Sequence, residues 1–229
     1  TLVSVNGGSN QVAATGFYNG LEFSNPTTTP FTLTFIRQQN ADTGIKAIKI
    51  NGKILVDDTA TPPNFPSIGS TVRANPTAGF SIVTYTGNGS NATIPHGLNT
   101  APHFYVVKAR EDSPYTDFWS VYHDSLGASA YIKLNETAAA TTGSTIWNST
   151  APTSSVFSVG ASSIANENNI DQVAYCFAPV AGYSAINSYT GSSSLPFIYC
   201  GFRPAFIILK KHDGTDKWCM YDTARGSFN

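Results

Sequence analysis

The sequence is short of charge. Lys, Arg, Asp and Glu make up 12% of its 229 residues, about half the roughly 25% usual in soluble domains, and 13 basic against 14 acidic side chains leave a net charge of −1. Apart from Lys210-Lys211, Lys and Arg are scattered singly, so there is no electrostatic footprint for nucleic acid or an anionic membrane, and neither is expected as a partner. Long apolar runs are missing as well. The longest, such as Phe206-Ile207-Ile208-Leu209, are strand-sized and far below the ~20 residues of a membrane helix, so no membrane insertion is expected. The chain opens at Thr1 without a basic-then-apolar leader, as expected of a processed protein or a fragment. No long window repeats apolar residues at i, i+3, i+4 and i+7, which leaves little room for amphipathic helices.

Cysteine is scarce: Cys176, Cys200 and Cys219 stand far apart, each inside an apolar run. An odd number argues against a disulfide framework, and the spacing is unlike the close pairs of zinc sites. Three buried free thiols are the expectation, with a Cys176 to Cys200 bridge as the alternative. The polarity that charge does not supply comes from Ser, Thr and Asn, a neutral surface that suits extracellular or virion proteins.

What is present is a repeat. Phe80, Tyr85-Thr86-Gly87, Gly97-Leu98, Pro102, Phe104, Lys108, Trp119, Tyr122 and Gly127 are answered in order. Their counterparts are Tyr183, Tyr189-Thr190-Gly191, Gly201-Phe202, Pro204, Phe206, Lys210, Trp218, Tyr221 and Gly226. The Pro-to-Lys and Trp-to-Gly spacings are the same in both copies, whereas Lys to Trp is longer in the first. Two rigid segments joined by a variable one describe two strands and a hairpin loop. Glu111-Asp112-Ser113-Pro114 and His212-Asp213-Gly214-Thr215 supply the turn chemistry.

Along the rest of the chain, Phe31-Thr32-Leu33-Thr34-Phe35 alternates with period two, and Asn51-Gly52 between apolar runs predicts a hairpin over 45–56. Thr61-Pro62-Pro63-Asn64-Phe65-Pro66 is too proline-rich for a strand and reads as a linker. This divides the chain into an N-terminal β-rich domain, 1–78, and a repeat-containing β-sandwich domain, 79–229. Further strands are predicted at 131–134, 155–159 and 172–177. Glu136-Thr137-Ala138-Ala139-Ala140 is the one helix-favouring piece, too short to stand alone. The fold class is all-β, an antiparallel sandwich of jelly-roll or concanavalin-like type.

Catalytic patterns are absent: there is no G-x-S-x-G elbow, and Gly87-Asn88-Gly89 lacks the context of a phosphate loop. His96, His103, His123 and His212 do not show metal-ligand spacing and are expected to be solvent-facing or hydrogen-bonded. The acidic residues mostly flank turns, as at Asp57-Asp58, Glu111-Asp112, Asp213 and Asp216. No catalytic residue, metal or cofactor is therefore expected. Trp119 and Trp218 recur at matching positions and are read as core. Tyr115 and Trp147 have no counterpart, stand in or beside loops, and are the candidates for contact with a glycan or another chain.

Taken together, Tyr85 to Gly89, His96-Gly97-Leu98, Trp119 with Tyr122-His123, Trp147-Asn148, Pro152 to Gly160 and Val173 to Ala178 resemble an uncharacterised domain of marine tailed-phage virion proteins. Gly201 to Phe206, Trp218 and Tyr221-Asp222 to Arg225 match the same pattern, so the resemblance covers about residues 80–229. Members often accompany laminin-G or concanavalin-like modules. The resemblance implies a place on the virion surface and carries over no catalytic residues. It also implies a further strand set after the second hairpin, making the C-terminus a truncation. The expected function is that of a non-enzymatic tail or head fibre or capsid decoration. Its expected partners are capsid or tail subunits, further copies of itself and a host surface glycan. A glycan-binding lectin-like module is the first alternative and a glycosidase the second.

Overall fold

The computed structural model describes residues 2–5, 11–12, 33–36, 49–50, 53–54, 66–111, 118–194 and 196–225. The chain divides into two compact units, Thr1–Ala60 and Thr61–Asn229. In the first unit β1 (Leu2–Val5) pairs antiparallel with both β2 (Gln11–Val12) and β3 (Leu33–Ile36). Separately, β4 (Lys49–Ile50) pairs with β5 (Lys53–Ile54) in the register Ile50↔Lys53. That is the hairpin predicted at 45–56; its Asn51-Gly52 turn lies outside the described residues.

The second unit begins earlier than the sequence suggests. Strand β6 (Ser70–Asn75) pairs along its whole length with β7 (Phe80–Thr86), so a boundary at 78 would cut a sheet, and the division falls between Ala60 and Thr61 instead. The turn between them has a local cause. Asn75 accepts the Ala78 N–H at 3.1 Å, Pro76 opens a 3-10 turn, and Gly79 closes it at φ 64°.

The strands that follow are β8 (Ala92–Pro95), β9 (Phe104–Ala109), β10 (Trp119–His123), β11 (Ala130–Lys133) and β12 (Thr141–Thr142). After them come β13 (Val156–Val159), a single helical turn at Ser163–Asn166, and β14 (Asp171–Phe177). The helix-favouring run at 136–140 is not helical. One antiparallel sheet has the order β12-β11-β10-β9-β14-β7-β6, and β8 pairs with β13 in a second. In β7 and β14 every second residue is buried, which places Ser81, Val83 and Tyr85 beside Gln172, Ala174 and Cys176 on one face.

Between the large sheet and the β8–β13 ribbon lies the core: Val83, Tyr85, Tyr105, Val107, Tyr122, Ala174 and Cys176 meet Ala92, Ile94, Phe157 and Val159. The fold is an all-β antiparallel sandwich. A smaller apolar cluster of Val106, Val121 and Ile132 sits on the other face of the same sheet. Finally, β15 (Phe206–Lys210) and β16 (Trp218–Asp222) form a two-stranded sheet of their own.

Candidate functional site

The repeat survives into three dimensions at the level of register. In the first hairpin Lys108 faces Trp119, Tyr105 faces Tyr122 and Phe104 faces His123. In the second Lys210 faces Trp218, Ile207 faces Tyr221 and Phe206 faces Asp222. The backbone before each hairpin matches too: Gly97 has φ 69° and Gly201 φ 81°, a left-handed bend that favours glycine. Pro102 is buried and Pro204 half-buried at the entry to the two hairpins. Gly127, at φ 72°, ends the first; its counterpart Gly226 lies outside the described residues.

Burial separates the copies. Tyr105 and Tyr122 stack with centroids 4.6 Å apart and planes 11° apart, capped edge-on by Trp147 at 4.9 Å and 6.3 Å. Burial, with the nearby Asp124 adding to it, pushes the Tyr122 phenol up to about 12, and burial raises Tyr105 well above its ordinary range. At the equivalent positions Ile207 is 37% and Tyr221 58% exposed, while on the opposite face Phe206, Ile208 and Met220 also meet solvent. The exposed apolar set continues upstream through Tyr183, Tyr189, Phe197, Ile198 and Tyr199. Ile198 precedes Gly201 as the wholly buried Ile94 precedes Gly97.

What covers the first hairpin explains the difference. Strand β14 pairs with β9 along one edge, β11 pairs with β10 along the other, and β8 and β13 pack over the core face. Among the described residues β15 and β16 pair only with each other. A lone two-stranded ribbon is marginal in water, and this one is held at one end. The Trp218 indole donates to the Lys133 carbonyl at 3.0 Å and packs on the Val106, Val121 and Ile132 cluster. In the adjoining loops Ala140 N–H donates to the His212 carbonyl, Asp216 N–H to the Thr137 carbonyl, and Lys210 Nζ also donates to Thr137.

The other predicted residues divide. Trp147 is not a surface contact: it is fully buried, its Nε1 donates to the Ala130 carbonyl at 3.2 Å, and its ring closes the Tyr105–Tyr122 stack. A turn through Asn148 and Ser149, both at positive φ, folds the indole inward, where burial stabilises it by about 2–3 kcal/mol. Tyr115 lies outside the described residues. Trp119 and Trp218 are half-buried and belong to the smaller cluster on the outer face of the sheet, not to the main core; Lys108 Nζ sits 6.0 Å from the Trp119 ring. All three cysteines are free, but only Cys176 is buried, so neither the bridge nor three hidden thiols is found.

His96 is fully buried and receives the Leu98 N–H at Nδ1, which leaves Nε2 as the donor to the Thr153 carbonyl at 3.0 Å. Desolvation lowers its pKa to about 4, so it works as a neutral strut at ordinary pH. Among the described residues no group of three or more His, Cys, Asp or Glu converges as metal ligands.

One depression of about 330 Å³ opens beside the end of β7, lined by Gly69, Ser70, Thr71, Thr84, Tyr85, Thr86, Arg110 and Asp171. Thr86 Oγ1 donates to Asp171 at 2.7 Å and Arg110 lies 3.9 Å from the same carboxylate. Among the described residues that line it, Asp171 is the one carboxylate. Neither Arg110 nor Asp171 stood out in the sequence, because their contact joins β9 to β14 across a long stretch of chain.

A family model described as a domain of unknown function, DUF7483, matches residues 56–229. The chain belongs to the DUF7483 family. The match takes in both copies of the DUF7483 hairpin and starts close to the boundary at Ala60. Neither the curated proteins nor the solved structures include a match to the chain.

Proposed function

We propose that this chain is a non-enzymatic structural module of a tailed-phage virion surface, a tail or head fibre or a capsid decoration, that works by packing against other subunits. The observation that carries the reading is the exposed apolar surface of the second copy. Residues whose counterparts Ile94, Tyr105 and Tyr122 are at most 1% exposed stand at 37% or more in Ile198, Ile207 and Tyr221. Large apolar side chains exposed in this number on a polar, weakly charged protein are what a docking surface presents. The resemblance to phage virion domains supplies the setting. Cryo-electron microscopy of purified particles tests it: density for this chain against capsid or tail subunits is expected, and absence of the chain from purified virions would overturn it.

A glycan-binding reading finds support in the polar depression, whose Thr71, Thr84, Thr86, Arg110 and Asp171 offer donors and acceptors suited to sugar hydroxyls. The aromatic row on the same sheet, Phe80, Phe177, Phe104 and His123, is a weaker sugar platform. Neighbouring rings are inclined by 41° to 81° and pack into each other instead of lying flat. Glycan-array binding lost in both Arg110→Ala and Asp171→Ala would favour this reading over subunit packing.

A further inference from the structure

We infer that the depression beside the end of β7 binds a neutral sugar and turns away sugars that carry a charge. The inference rests on the glycan-binding reading of that depression and names the class of glycan. Four adjacent strands hold its walls. Thr86 stands opposite Asp171 across β7 and β14, and Thr71 stands opposite Thr84 across β6 and β7. Just past the end of β9, the Arg110 N–H donates to the Asp171 carbonyl at 2.8 Å. A sheet fixes these groups before any ligand arrives, which spares the complex the cost of ordering them.

The hydrogen-bond capacity left over inside this frame calls for hydroxyls. Asp171 is half satisfied: Oδ1 accepts the Thr86 hydroxyl at 2.7 Å, whereas Oδ2 faces Arg110 Nη1 at 3.9 Å, too far for a hydrogen bond. One hydroxyl oxygen set astride that gap, about 2.8 Å from each side, accepts from the guanidinium and donates to the carboxylate at once. The Thr71 and Thr84 hydroxyls make no hydrogen bond among the described residues and can give or take for the next hydroxyl of the same ring.

Charge sets the class. Arg110 and Asp171 carry opposite signs on one wall, so a carboxylate drawn to the guanidinium comes up against Asp171, and an ammonium drawn to Asp171 comes up against Arg110. A phosphate or a metal cation meets the same obstacle. Among the described residues no Val, Leu, Ile, Met or Phe lines the depression, so a lipid or an apolar peptide has nothing to bury against. Because the two charged side chains are 52% and 42% exposed, solvent screens them and the discrimination is modest, about tenfold.

Amide chemical shifts of the full chain, titrated with the methyl glycosides of glucose, galactose and mannose, test this. At least one should shift the amides of Thr71, Thr84, Thr86, Arg110 and Asp171 saturably, with a dissociation constant in the millimolar range expected of one sugar ring in an open site. The corresponding methyl uronide and 2-amino-2-deoxy glycoside should bind about tenfold more weakly. Asp171→Asn should weaken the neutral sugar about tenfold and strengthen the uronide, reversing the preference, and Arg110→Gln should do the same in favour of the amino sugar. Misfolding weakens every ligand alike and cannot produce such a reversal, and the near-ultraviolet circular dichroism of the buried Trp147, Tyr105 and Tyr122 group checks each variant. A charged sugar that binds these residues of the unaltered chain better than its neutral counterpart, or a preference unmoved by both substitutions, overturns the neutral class and leaves the glycan reading standing. No saturable shift at these residues with any of the sugars, neutral or charged, defeats both.

Discussion

Two hairpins of one sequence pattern meet different fates in this molecule. The first, 104–123, has a strand on each edge and a ribbon over its inner face, and its tyrosine pair vanishes into the core. The second, 206–222, keeps the register and the preceding glycine bend but touches the rest of its unit mainly through Trp218 and its loop. Local sequence therefore decides that a hairpin forms and how its residues face each other. Whether those residues become core or surface depends on what is packed around them.

Substitutions at matching positions should break the symmetry most sharply. Tyr122→Ala removes a ring stacked on Tyr105 and is expected to cost about 3–5 kcal/mol, whereas Tyr221→Ala, at the same register position, should stay within about 0.5 kcal/mol. Urea unfolding of the two variants measures the contrast; equal losses would mean that the second copy is also core.

The next effect is a pH dependence confined to the first copy, where His96 stands at the position of Cys200. The folded imidazole has its pKa lowered from 6.5 to about 4, so between those values the unfolded chain binds the extra proton. The contribution is fully present above about pH 6.5 and is lost as pH falls, by about 3 kcal/mol on reaching pH 4. His96→Gln should remove this slope from a series of unfolding midpoints. A slope that survives the substitution would assign the effect elsewhere.

A smaller effect belongs to the join between copies. Trp218→Phe deletes the hydrogen bond to the Lys133 carbonyl and part of the packing on Val121 and Ile132, at about 1 kcal/mol. Because Trp218 tethers the second hairpin, faster amide exchange across 206–222 should accompany the loss, with exchange across 104–123 unchanged.

Much of this architecture could be read before any coordinates were seen. Equal Pro-to-Lys and Trp-to-Gly lengths around a variable loop located both hairpins, and the strands predicted at 155–159 and 172–177 are β13 and β14. Strand β6 escaped because it is an edge strand with four of its six residues exposed and none buried, so no apolar face marks it. Strand β8 is short and ends at Pro95, which disguises it as loop. The burial of Trp147 was illegible for a different reason. An unmatched tryptophan beside a turn has the same sequence appearance whether the turn folds over a core or away from it. The positive φ at Asn148 and Ser149 that aims it inward belongs to the fold. Likewise the depression at Arg110 and Asp171 exists only because β14 returns to lie between β9 and β7.

Amide hydrogen exchange on the chain tests the central claim most directly. Amides of β9 and β10 should exchange only through global unfolding, while those of β15 and β16 exchange orders of magnitude faster through local opening. Equal protection of the two hairpins would contradict the account, because the second copy would then already be complete.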